Sequence, residues 1–293
     1  MQRNPSKKKV VLVTGASTGI GLAIVRELMH YDYFVIATAR KESLIRFEYD
    51  GIFETDSLKL MSLDVTSEKE RKEVIHLIQR KWGGVDILIN NAGVCYRAVI
   101  EHTGMKDELD QFNINYFGPI RLARLVIPLM RKNKSGKIIN ISSAAGMMAM
   151  PTMGNYSASK FALEGASEAL WYELKPWGIN VTIVQPGFVN SKACFNVRYT
   201  QKSMDSYEHE LDPYHHYYTN MNEFVLKMMR MSPVDSKKVA IKVMRIVRMS
   251  SPPLRIAATP DAFLFGLMRR VLPRQLYHYI LYRSLPGIKS WLG

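Results

Sequence analysis

Short apolar runs alternate along this chain with stretches in which apolar residues recur every third or fourth position. Runs of roughly four to eight such residues suit strands buried on both faces, whereas the wider spacing lays one apolar stripe along a helix. The runs predict strands at Lys9 to Thr14, Tyr33 to Ala39, Leu58 to Leu63, Val85 to Asn90, Lys137 to Ser142, Asn180 to Gln185 and Leu254 to Ala257, alternating with helical patterns. Repetition of that order predicts an α/β fold, with helices covering both faces of a parallel sheet.

The 293 residues fit one domain of this kind, and no linker, internal repeat or low-complexity tract divides them. We expect residues 1–258 to hold the sheet, including a substrate segment at about 188–231, and residues 259–293 to be a helical extension of the same domain. That segment holds Phe195, Tyr199, Tyr207, Tyr214, Tyr217 and Tyr218 among charges, which suggests a bulky apolar ligand. Only Cys95 and Cys194 are present, so no disulfide framework or metal cluster is expected, and a reducing cytoplasmic location follows. Residues Met1 to Lys9 are polar and the apolar run after them is short, unlike a secretory signal.

A net charge of +14 raises the question of nucleic acid, but no nucleic-acid-binding motif accompanies it, and anionic lipid or a phosphorylated cofactor attracts the same charge. No acid follows Asp261, while Arg269, Arg270, Arg274 and Arg283 interrupt apolar runs too short and too charged to span a bilayer. Such helices suit the surface of an anionic membrane, a cover over the pocket or a subunit contact.

Two patterns carry chemistry. The first is Thr14-Gly15-Ala16-Ser17-Thr18-Gly19-Ile20-Gly21, between an apolar strand and a helical run. Glycines there let the backbone approach a pyrophosphate, which the amides and dipole of the following helix stabilise. The second is Tyr156 four residues before Lys160, which puts a phenol and an ammonium on one helix face. A neighbouring cation is expected to lower the phenol toward the range in which it transfers protons. At the end of the second strand stands Arg40, with no acid at Ala39. A carboxylate there would select NAD, whereas a guanidinium suits the extra phosphate of NADP(H).

Further motifs follow in order: Asn90-Asn91-Ala92-Gly93 after a strand, Asn115-Tyr116-Phe117-Gly118 in a helical stretch, Ile141-Ser142-Ser143 at a strand end, and Pro186-Gly187-Phe188-Val189-Asn190-Ser191. With the glycine turn, Tyr156 and Lys160, these resemble the short-chain dehydrogenase/reductase family over about the first two thirds of the chain. The resemblance implies a doubly wound Rossmann-type sheet and an oxidoreductase. Tyr156 would be the acid and base, Lys160 would stabilise phenolate and bind the nicotinamide ribose, and Ser143, rather than Ser142, would hold the substrate oxygen. Asn115 would prop open its helix and hold a water connected to Lys160, or simply cap a local kink.

For NADP(H), the resemblance implies contacts from Gly15, Ser17, Thr18, Gly19, Ile20, Gly21, Arg40, Asp64, Val65, Asn91, Ala92, Gly93, Pro186, Gly187, Val189 and Ser191. Asp64 would touch adenine or start the next helix through Thr66 and Ser67; Ser191 would hold the carboxamide where many relatives carry threonine. The tail, with Asp261-Ala262 followed by Leu272-Pro273, looks like the hydroxysteroid and retinol dehydrogenase branch, so a hydrophobic alcohol or carbonyl is the expected substrate. Homodimers or homotetramers are frequent in the family. A non-catalytic NADP(H)-binding regulator or scaffold is the alternative function, and an epimerase or dehydratase of the same fold another. A serine hydrolase is not expected, because His76 and His102 sit in polar contexts and no Gly-x-Ser-x-Gly elbow is recognised.

Overall fold

The structure, a computed structural model, describes residues 8–191 and 197–291. Cys194 and Phe195 lie outside the described residues. The strands are β1 (Lys9–Val13), β2 (Tyr33–Ala39), β3 (Leu58–Ser62), β4 (Ile87–Asn90), β5 (Cys95–Arg97), β6 (Gly136–Ile141), β7 (Ile179–Gln185), β8 (Val197–Tyr199) and β9 (Arg255–Ala257). The helices are α1 (Gly19–Leu28), α2 (Ile45–Tyr49), α3 (Glu68–Trp82), α4 (Met105–Phe112), α5 (Gly118–Lys132), α6 (Gly154–Leu174), α7 (Gln201–Glu208), α8 (His215–Met231), α9 (Ser236–Arg248), α10 (Pro260–Val271) and α11 (Arg274–Arg283).

Seven strands form one parallel sheet in the order β3-β2-β1-β4-β6-β7-β9. Every predicted strand is present, with ends shifted by one or two residues. Because side chains alternate across a strand, each strand feeds two cores. Val11, Val13, Val35, Ala37 and Ile89 pack on one face with α1 and α9, whereas Val10, Leu12, Ile36, Leu88 and Ile138 pack on the other with α3 and α5. The chain order reverses direction between β1 and β4, and the crevice beyond the carboxyl ends of those strands is where such sheets bind ligands.

Two features had no counterpart in the apolar pattern. One is a small second parallel sheet, β5 with β8, joining the strand after Asn91-Ala92-Gly93 to the start of the substrate segment. The other is a π-helical turn at Asn113–Phe117 between α4 and α5. Wider turns of this kind are rare and interrupt a helix where a side chain intrudes; here Asn115 lies fully buried within it.

Beyond Phe188, the segment folds as β8, α7 and α8, with Phe188 edge-on to Phe224 at 6.0 Å. The last residues return to it: Trp291 is buried with its ring 4.2 Å from Tyr217. Thus the tail covers the substrate segment at one end. Phe263, Leu264 and Leu267 on α10, and Leu276, Tyr279 and Ile280 on α11, nevertheless remain at the surface.

Candidate active site

The carboxyl ends of β1, β2, β4, β6 and β7 open into a cleft of about 520 Å³. At its floor, Gly15 adopts a positive φ of 60°, and a Cβ there would sit 2.7 Å from Ala92 Cα. Asn91 Nδ2 donates to Thr14 O at 3.0 Å and Gly15 O at 2.8 Å, while Thr14 Oγ1 accepts from the N–H groups of Asn91 and Ala92. The two loops therefore hold each other, and α1 begins at the cleft with no side-chain cap bond from Thr18. A bare helix start of this kind is suited to an anion. A Cβ at Gly93 would meet Asn115 Oδ1 at 3.4 Å and Lys160 Nζ at 3.7 Å, ordinary contact distances, so this glycine lies directly beside both groups.

Gly15, Ser17, Thr18, Gly19, Ile20, Arg40, Asp64, Val65, Asn91, Ala92, Gly93, Ser143, Tyr156, Lys160, Pro186, Gly187, Val189 and Ser191 all line this cleft. Gly21 does not. A Cβ on Gly21 would overlap Gly15 O and Asn91 Nδ2, so its role is to let α1 pack behind the turn rather than to touch a ligand. Asp64 Oδ1 accepts from Thr66 N at 2.8 Å and Thr66 Oγ1 at 2.7 Å, shaping the loop ahead of α3, whose N-cap is Ser67. Asp64 thus bends the loop ahead of α3 and lines the cleft.

Tyr156 occupies the first turn of α6 and Lys160 the next. The Tyr156 phenol is hydrogen-bonded to Ser143, and Lys160 Nζ, 5.9 Å from the phenol ring centre, donates to Ile141 O at 2.9 Å. Ser142 turns away, its hydroxyl donating to buried Glu164 at 3.0 Å. The expected lowering of the phenol by Lys160 is not what the protein's own groups produce. Burial pushes Tyr156 above its ordinary range, opposed by the Ser143 hydrogen bond, and burial pushes Lys160 down to about 8. Desolvation disfavours each charged form and is the largest cause at both groups.

Asn115 stands behind the cleft wall. Its Oδ1 accepts from Val94 N at 2.9 Å, and its Nδ2 donates to Val94 O at 2.9 Å and to Ser159 Oγ at 3.0 Å. It thereby fastens the strand after Gly93 to α6, one residue from Lys160.

Several wall residues carried no signal in the sequence. Arg46 on α2 joins Arg40 at the rim, and Cys95, Arg97, Asp110 and Arg198 line the opposite end. The tyrosines of the substrate segment do not line the cleft. Tyr214 donates to Glu101 at 2.5 Å, the Tyr218 hydroxyl accepts from Val99 N–H at 3.0 Å, and the apolar wall comes from Met148, Met150, Met153, Met229, Phe188 and Phe265. The first turn, Gly15 to Gly19, does spell Gly-x-Ser-x-Gly, contrary to the sequence reading, but no histidine lines the cleft among the described residues, so Ser17 has no base there.

In the sequence Asp261 stood out as the last acid of the chain and as part of the tail's resemblance, without a role of its own. It sits in the first turn of α10, favourable for a carboxylate, and its Oδ2 accepts from Phe188 N at 2.8 Å. Thr259 Oγ1 accepts from Gly187 N at 2.8 Å, so the start of α10 holds the Pro186-Gly187 loop against the cleft.

Residues 9–202 match the short chain dehydrogenase family. A relative named 3-ketodihydrosphingosine reductase, from Bacteroides thetaiotaomicron, is 33% identical over 274 residues, spanning 93% of this chain and 96% of its own. Among solved structures, a short-chain dehydrogenase from Streptomyces avermitilis is 32% identical, with a TM-score of 0.77 over 94% of this chain and 99% of that one. ElxO with NADP bound is 26% identical, with a TM-score of 0.67 over 86% of this chain and 98% of that one. The chain belongs to the short-chain dehydrogenase family. It is an oxidoreductase acting on CH–OH groups.

Asp261→Ala is expected to release the Phe188 amide and loosen the Pro186-Gly187 loop, costing about 1–3 kcal/mol of stability in urea unfolding. Binding of the nicotinamide dinucleotide, followed by fluorescence titration, should weaken in the same variant. Unchanged stability and binding would remove the anchoring role.

Proposed function

We propose that this protein interconverts a hydrophobic alcohol and its carbonyl with NADP(H), in the manner of the hydroxysteroid and retinol dehydrogenase branch. The observation that carries this reading is the meeting of Ser143, Tyr156 and Lys160 in the same cleft as the glycine turn. When bound, the dinucleotide supplies or accepts hydride. The protein's own residues handle the oxygen and its proton. Ser143 and Tyr156 converge on the position a carbonyl oxygen would take, fixing it by paired hydrogen bonds. Burial keeps the phenol protonated, the form in which Tyr156 gives a proton to that oxygen during reduction, and the same residue takes it back during oxidation. Lys160 stands behind the phenol with donors to spare for ribose hydroxyls, and Asn115 holds the strand and helix that frame it. The methionine and phenylalanine wall supports an apolar substrate.

Tyr156→Phe should cut turnover by roughly 10²–10⁴-fold while leaving dinucleotide binding nearly intact, since the ring stays and the transferable proton goes. Steady-state NADPH absorbance with a panel of steroid, retinoid and lipid ketones measures this. Full activity in the variant would reject the assignment.

The preference for the phosphorylated dinucleotide rests on Arg40, half exposed at the end of β2 with Arg46 nearby and only the surface carboxylate of Glu42 beside it, at 3.2 Å. Arg40→Asp is expected to raise the KM for NADPH by roughly tenfold or more through loss of a charge-assisted contact, and that for NADH far less. Equal changes for the two would locate phosphate recognition elsewhere.

No helix among the described residues is long and apolar enough to cross a membrane. The exposed apolar residues of α10 and α11, interleaved with arginines and lacking acids after Asp261, support attachment to the surface of an anionic membrane. Flotation with phosphatidylserine vesicles at low salt should carry the protein upward. Protein left wholly in the soluble fraction would remove the membrane proposal.

A further inference from the structure

Strand β5 points Cys95 and Arg97 to the same side, because residues two apart on a strand share a face. Both line the cleft. Arg97 is 6% exposed, so its guanidinium is nearly removed from water. One end of it is fixed: Nη1 donates to Asn222 Oδ1 on α8 at 2.7 Å, and the guanidinium also hydrogen-bonds the Cys95 thiol. Its Nε has no hydrogen-bond partner, and no carboxylate lies within ion-pair distance of it among the described residues. Cys95 and Tyr156 in turn pack on the same buried cluster, which holds Met153. The cation is therefore next to the reacting groups but one residue removed from them.

A buried cation without a counter-charge is costly, and proteins otherwise pair such groups. The carboxylates that share the cleft are already engaged. Asp110 pairs with Arg198 at 2.5 Å, Asp261 accepts from Phe188 N, and Asp64 is turned into the Thr66 loop. The end of the cleft beside Tyr156 thus carries an uncompensated positive charge, enclosed by the apolar methionine wall.

We infer that Arg97 binds a carboxylate on the substrate, so that the preferred ligands are apolar oxo-acids or hydroxy-acids whose carboxylate lies a few bonds from the reacting carbon. This rests on the alcohol–carbonyl reading above and names its substrate class. The apolar chain lies along Met150, Met153, Val225 and Met229, the carboxylate meets the guanidinium of Arg97, and the carbonyl oxygen reaches Ser143 and Tyr156. Asn222 acts as a positioning residue, keeping the guanidinium turned toward the cleft.

The test compares 4-oxododecanoate with its methyl ester, which share a carbon skeleton and differ in charge, by calorimetric titration and by NADPH turnover. Wild-type protein should bind the acid roughly 10–100-fold more tightly than the ester, the range expected of a hydrogen-bonded charge in a dry site. Arg97→Gln, which keeps an N–H to offer Asn222, should lose that preference while binding the ester within about twofold of wild type. Arg97→Lys should recover part of the preference. Equal binding of acid and ester by wild-type protein would overturn the inference, as would an equal loss for both ligands in Arg97→Gln, which is the behaviour of a purely structural arginine. If the acid binds in an Arg97-dependent way but is not reduced, the carboxylate site stands and the catalytic reading falls. If both are reduced at equal efficiency with equal affinity, the reverse holds.

Discussion

The side chain of Asn115 is the constraint on which the site depends. Its amide bonds both the N–H and the C=O of Val94, in the way a neighbouring strand would, and then reaches Ser159 on α6. A regular helix would carry the residue past that position; the π turn at Asn113–Phe117 inserts the extra backbone needed to aim it inward. Three pieces of chain far apart in sequence are registered by one amide group. The strand after Gly93 sets the floor of the nucleotide edge, α6 presents Tyr156 and Lys160, and their separation follows from this bridge.

The electrostatic character of the site follows from the same close packing. Lys160 is 4% exposed and donates to a backbone carbonyl, so its ammonium is lowered to about 8. The phenol beside it moves the opposite way for the same reason. Above about pH 8 the protein alone thus holds both groups mostly uncharged, and below it only the amine gains charge. An acid ready to give a proton and an amine easily switched between states are both products of removing water, rather than of attraction between the pair.

Much of this was legible in the chain. Apolar runs with period-two burial located every strand of the main sheet, and glycines and hydroxyls at strand ends located the cleft, because local sterics and hydrogen bonding leave few other uses for them. What could not be seen depends on contacts between distant segments. Strands β5 and β8 are three residues each and pair across roughly a hundred positions, too short for a pattern to register. Gly21 looked like a ligand contact and is instead a packing glycine, a distinction that only the position of Asn91 reveals. The tyrosines of residues 199–218 suggested a bulky apolar ligand, yet Tyr214 and Tyr218 turn their hydroxyls to Glu101, Val99 and His102, and methionines with two phenylalanines form the apolar wall. Composition reports which side chains a segment owns, and only the tertiary arrangement decides which way they face.

The attachment of the substrate wall has an evolutionary corollary. Residues 197–231 join the main body through contacts that include the short β5–β8 pairing, the Arg198–Asp110 ion pair, Arg97–Asn222, Val99–Tyr218 and Phe188–Phe224, without contributing a strand to the large sheet. Such a unit is modular: its exchange between homologues would alter which molecules are accepted while leaving the proton-handling centre undisturbed. Diversification of selectivity on this scaffold then requires only that the incoming piece preserve a few docking contacts.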